Sequence, residues 1–125
     1  MRTSKLVGAG IAPMAAANIA SGFDIQTGVV AAGSTQATAT AAYADTVIVG
    51  TTPASSGVIM SGPAYGPGDD QFFQNGGANA LLIYPPSGAQ INALGANAGY
   101  SLASAASVIV KCAGVIGGVQ QFYTK

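Results

Sequence analysis

From about Asp24 to the C-terminus, Gly, Pro or Asn breaks the chain roughly every eight to twelve residues. An isolated helix needs about 12–15 uninterrupted residues to be even marginally stable, whereas a strand needs only about five or six. The punctuation therefore selects β structure. The runs between breaks are rich in β-branched and aromatic residues. They are 46–49 before Gly50 and Pro53, 57–60 before Gly62 and Pro63, and 71–74 before Asn75-Gly76-Gly77. Further along come 80–84 before Pro85-Pro86, 107–112 ending near Gly114, and 119–123. Residues 35–43 alternate Thr and Ala and also read as β. Asn75-Gly76 is the sharpest turn signal, because both residues accept positive φ. Residues 88–99 read as a turn-rich connector in which Asn92 and Asn97 cap turns through their amides. No fixed-period repeat stands out.

This spacing predicts an all-β domain over residues 24–125, a small antiparallel β-sandwich or barrel. Its core should include Val47, Val49, Ile59, Phe72, Leu82, Tyr84, Val108, Val110 and Phe122. Cys112 has the parity of Val108 and Val110 and should be buried beside them rather than act as a nucleophile. An arm over residues 1–23 precedes the domain. Within it, residues 13–20 carry a short helix signal: Pro13 suits a first turn, Ala favours helix, and Gly22 can close it. Gly8, Gly10 and Pro13 interrupt the arm's apolar run, which makes it a poor signal-peptide core. No apolar stretch reaches the about 18 residues of a membrane-spanning helix without Gly or Pro, so no membrane partner is expected.

The chain is poor in chemistry. It has no His, Trp or Glu, one Cys, four basic and four acidic residues. Acid–base and metal chemistry draw on His, Glu, Asp and Cys, so no enzyme activity, cofactor or metal is expected. Asp69-Asp70 lacks the further oxygens and final Glu of a calcium loop. Gly8-Ala9-Gly10 lacks the strand, third Gly and βαβ unit of a dinucleotide site. Without a Lys/Arg cluster to neutralise phosphates, nucleic acid is not an expected partner. A formal net charge of zero with half the residues hydrophobic suits a surface covered by partners. The arm's Leu6, Val7, Ile11, Met14 and Ile19 are the candidate partner-binding residues, joined by Tyr65 in the Gly/Pro-rich loop 62–70.

Residues 75–94, running Asn-Gly-Gly-Ala-Asn-Ala-Leu-Leu-Ile-Tyr-Pro-Pro-Ser-Gly-Ala-Gln-Ile-Asn-Ala-Leu, and 97–102, Asn-Ala-Gly-Tyr-Ser-Leu, have a recognisable pattern. So does the opening Lys5-Leu6-Val7-Gly8-Ala9-Gly10-Ile11-Ala12-Pro13. Together they resemble small structural proteins of tailed bacteriophages, although Phe122 and Tyr123 stand where such chains often carry Trp. The resemblance implies a virion protein at the capsid surface, a decoration (cement) protein or head fibre that binds the major capsid protein. It also implies a homotrimer, since cement proteins often sit at three-fold positions. The alternative is an adhesive module of a tail fibre or spike that binds host glycans, which an exposed Tyr65 cluster would favour.

Overall fold

The computed structural model describes residues 25–62 and 64–125. The expected arm and its helix over 13–20 lie outside these residues. The described chain is all-β. It forms β1 (Ile25–Val30), β2 (Thr40–Ala42), β3 (Thr46–Thr51), β4 (Gly57–Met60) and β5 (Asp70–Asn75). These are followed by β6 (Leu81–Tyr84), β7 (Gln90–Ile91), β8 (Tyr100–Leu102), β9 (Ser107–Ile116) and β10 (Val119–Thr124). Two sheets result, ordered β1-β3-β5-β9-β10-β7 and β2-β4-β6-β8.

The expectation of antiparallel pairing is corrected: both sheets are mixed, and neither closes into a barrel. The cause is the path of the chain. From β1 to β9 every strand lies in the opposite sheet from its predecessor. The chain thus returns to each sheet travelling in the same direction, and β1-β3-β5 and β2-β4-β6 pair parallel. Among the strands, only β8, β9 and β10 introduce antiparallel contacts. The winding is irregular. In the first sheet Ile25 pairs with Thr46, and Thr46 in turn with Phe72. In the second sheet Thr40 pairs with Val58, and Gly57 with Leu82. The segments joining these partners differ in length, so the coils leave no fixed period for the sequence to display.

Both sheets feed one hydrophobic cluster. Val47, Val49, Phe73, Val108, Val110, Cys112 and Phe122 come from the first sheet; Val58, Met60, Leu81, Ile83 and Leu102 come from the second. Each is worth roughly 1.5–3 kcal/mol when fully buried. Of the expected core, Val47, Val49, Val108, Val110 and Phe122 are in place. Ile59, Phe72 and Leu82 are corrected: they are half-buried, and their neighbours Val58, Met60, Phe73, Leu81 and Ile83 face inward. Adjacent apolar residues carry no parity signal, and a slip of one residue exchanges faces.

Tyr84 is buried, but it shares parity with Leu82 and stands outside the common cluster. Its ring lies beside Gly57 and Gly99. A Cβ at Gly57 would come within 2.7 Å of that ring and 2.6 Å of the Leu82 carbonyl oxygen. The Tyr84 hydroxyl donates to the Ser34 carbonyl at 2.9 Å. The Gln36 amide donates to the Pro85 carbonyl and to Asn97 Oδ1. Residues 35–39 are therefore a 3-10 turn (Gln36–Thr38) and its flanks rather than the expected strand, which begins only at Thr40.

Candidate interaction surface

Two buried polar hubs fix the ends of the sheets. At one end Asn75 is fully buried. Its Oδ1 accepts from Thr52 Oγ1 (2.7 Å) and the Gly77 N–H (3.1 Å), and its Nδ2 reaches the carbonyls of Asn79, Leu102 and Ala103. The strongest turn signal in the sequence is thus a cross-sheet connector, and neither Asn75 nor Gly76 has positive φ. At the other end Gln71 projects inward from β5. Its Nε2 donates to the Ala42 and Ala44 carbonyls at 3.0 and 2.7 Å, and its Oε1 accepts from the Tyr65 hydroxyl at 2.8 Å.

Tyr65 is consequently a half-buried peg. Its hydroxyl also accepts from the Gly62 N–H at 3.1 Å, and its ring meets Phe122 edge-on, with centroids 5.4 Å apart. Burial, above all, pushes its hydroxyl pKa up to about 12; the Gly62 N–H opposes this and the Asp45 charge adds to it. The loop around Tyr65 is held by Gly66 N–H donating to Asp69 Oδ2 (2.8 Å) and by Gln120 Nε2 donating to the Tyr65 carbonyl (3.0 Å). Cys112 is buried beneath it, as its parity predicts.

The Tyr65 end also leaves two large apolar groups bare, at the tip of the β9–β10 hairpin. The sequence reading ends β9 near Gly114. Instead Gln121 faces Gly114 and Phe122 faces Cys112, so Ala113 is the extra residue of a bulge and the strand runs on to Ile116. Gly117 and Gly118, at φ 62° and 81°, then supply the two positive-φ positions of a tight hairpin turn. This overhang passes the end of β5, whose Asp70 pairs with Lys111. At its tip Val115 is 69% and Ile116 56% exposed. Ile25, 64% exposed, stands three strands from β9 and level with Ile109 rather than with the hairpin tip; Tyr43, 55% exposed, lies beside it, its N–H donating to Gln26, and Val30, Leu94 and Tyr123 are exposed elsewhere.

Beside the hairpin base is an open cleft of about 330 Å³ lined by Ile59, Met60, Tyr65, Pro86, Ser87 and Gln120, among others. No lining residue is charged. The arm residues Leu6, Val7, Ile11, Met14 and Ile19 lie outside the described residues, which begin at Ile25. The sequence reading missed Val115 and Ile116. Gly117-Gly118 between apolar runs is a hairpin signal that could have found them.

Among the described residues no group of three or more His, Cys, Asp or Glu side chains is placed to hold a metal ion. No described helix is long and apolar enough to cross a membrane. Comparison of the chain with protein-family models, curated proteins and solved structures gave no match.

Proposed function

We propose that this chain is a non-enzymatic structural protein of a tailed-bacteriophage virion, a decoration (cement) protein that binds the assembled major capsid protein as a homotrimer and stabilises the head. The observation that carries the reading is the apolar end. The β core leaves Val115 and Ile116 exposed at the tip of the β9–β10 hairpin, and Ile25 and Tyr43 exposed where the arm joins. The sequence resemblance over 75–102 supplies the virion context. A two-layer sandwich is the architecture that accounts best for a single cluster fed by both sheets.

On this reading the arm is an anchor. Leu6, Val7, Ile11, Met14 and Ile19 gain roughly 1.5–3 kcal/mol each on burial, against roughly 1–2 kcal/mol per residue for ordering the backbone. Ordering the whole arm would outweigh that gain, so only the short segments around these side chains order on contact, and attachment relies on several arms acting together. The glycan-binding alternative calls for an exposed Tyr65; the half-buried ring and engaged hydroxyl favour the shell reading. The test is a binding isotherm on particles stripped of this protein. Removing residues 1–22 should leave the β domain folded and sharply weaken binding. A truncated chain that saturates particles at full-length affinity rules out the anchor.

A further inference from the structure

We infer that Asn75-Gly76 is a latent deamidation site that the fold holds shut, and that a chain which unfolds is converted there to a form unable to refold. It is the only Asn-Gly pair in the chain; the other four Asn precede Ile or Ala. In an open chain the backbone nitrogen of Gly76 gives its proton to a base and attacks Cγ of Asn75. The Cγ–Nδ2 bond breaks, ammonia leaves, and a five-membered succinimide forms. Water then opens either carbonyl of the ring, giving aspartate or isoaspartate, with no oxidant or cofactor required. A following glycine, having no Cβ, leaves the attacking nitrogen most accessible.

Three features of the folded chain close this route. The peptide group joining the two residues is pinned on both sides: the Asn75 carbonyl accepts from the Ala105 N–H at 2.8 Å, and the Gly76 N–H donates to the Val49 carbonyl at 2.7 Å. Ring closure turns this group about the Asn75 Cα–C bond and breaks both. The Asn75 amide is itself tied by five hydrogen bonds. Asn75 is also 0% exposed, which keeps water from its side chain. The same hub rejects the product. Nδ2 faces the carbonyls of Asn79, Leu102 and Ala103. Deamidation puts a carboxylate oxygen against these three oxygens in a buried site, where an unpaired charge is strongly disfavoured. Isoaspartate adds a methylene to the backbone as well, at the end of β5 that pairs with β3. The fold nevertheless calls for both residues: Asn75 is the hub, and a Cβ at Gly76 would come 3.0 Å from the Val49 carbonyl oxygen. Unfolding thereby becomes irreversible through a covalent change. None of this depends on the virion reading.

The experiment incubates the full chain with a thiol reductant at about pH 8 and about 37 °C, folded in buffer or unfolded in guanidinium chloride. Peptide mass spectrometry reads the gain of about one mass unit at Asn75. Unfolded chain should convert at Asn75 faster than at any other Asn, and more than tenfold faster than folded chain. After dilution, gel filtration separates refolded from unrefolded chain. Converted chains should lie in the unrefolded fraction, and the refoldable share should fall in step with conversion. Gly76→Ala, whose methyl shields the nitrogen, should slow conversion in the unfolded chain, a reading that does not need the variant to fold. Equal conversion of folded and unfolded chain overturns the inference. So do converted chains that refold like unconverted ones, and a Gly76→Ala chain that converts as fast as wild type.

Discussion

Replacing Tyr65 by Phe tests whether the polar peg that shapes the apolar end works as described. The ring and its edge-on contact with Phe122 stay; only the hydroxyl goes. That hydroxyl donates to Gln71 Oε1 and accepts from the Gly62 N–H. Gln71 is 2% exposed, so water has little access to the oxygen left behind. Such an unsatisfied buried group costs about 1–3 kcal/mol. Gly62 is half-buried, and its N–H adds little because water can reach it. The expected loss is about 2 kcal/mol at neutral pH, or roughly 8–16 °C in Tm for a domain of this size.

The same hydroxyl makes the loss pH-dependent. Its pKa is raised from the ordinary 10 to about 12 in the folded chain. Between these values the unfolded chain releases a proton that the folded chain retains, so wild-type stability falls as pH rises through this window. The contribution is fully present below pH 10, and its loss reaches roughly 2–3 kcal/mol past pH 12. The Phe variant has no such group. Urea unfolding at pH 8, 10 and 12 should show the wild-type advantage shrinking as pH rises, with the exposed Tyr123→Phe as control. A wild-type advantage that stays constant from pH 8 to 12, or one below about 0.5 kcal/mol at pH 8, would refute the reasoning.

Other outcomes follow from the same geometry. Asn75→Ala strips a buried hub of five hydrogen bonds and should cost about 3–4 kcal/mol in chemical denaturation. Gly57→Ala drives a methyl into the Leu82 carbonyl and the Tyr84 ring and should cost about 1–3 kcal/mol by thermal melting; adding Tyr84→Ala should not restore stability, because the carbonyl remains. Val115→Asp should leave the melting temperature within a few degrees of wild type, since the side chain is 69% exposed.

How much of this was legible in the sequence depends on which signal is asked for. The β class was readable because most runs between Gly, Pro and Asn are short and rich in β-branched and aromatic residues. Strand pairing was not. Parallel and antiparallel pairings need the same short apolar runs, and coils of unequal length hide the winding that decides between them. Core positions were readable where a polar residue breaks the run, as Lys111 does between Val110 and Cys112. They were unreadable at Phe72-Phe73 and Leu81-Leu82-Ile83, where both faces are apolar. Asn92 and Asn97 were readable as amide caps. Asn92 exchanges bonds with Thr124 and Asn97 accepts from the Gly88 N–H. Gly114 misled because glycine marks bulges as well as ends. That misreading concealed the hairpin tip, and with it the most exposed large hydrophobic residue described. Tyr65 was singled out as a contact residue, but its packing on Phe122 and its bond from Gln120, more than fifty residues away, required the fold.

The most direct test of the proposed role is a reconstruction of the intact phage particle by electron cryo-microscopy. The account predicts density for this β domain on the outer face of the head, in groups of three, with the apolar end and arm turned toward the major capsid protein. Density confined to the tail, or a particle that lacks the chain altogether, would contradict it.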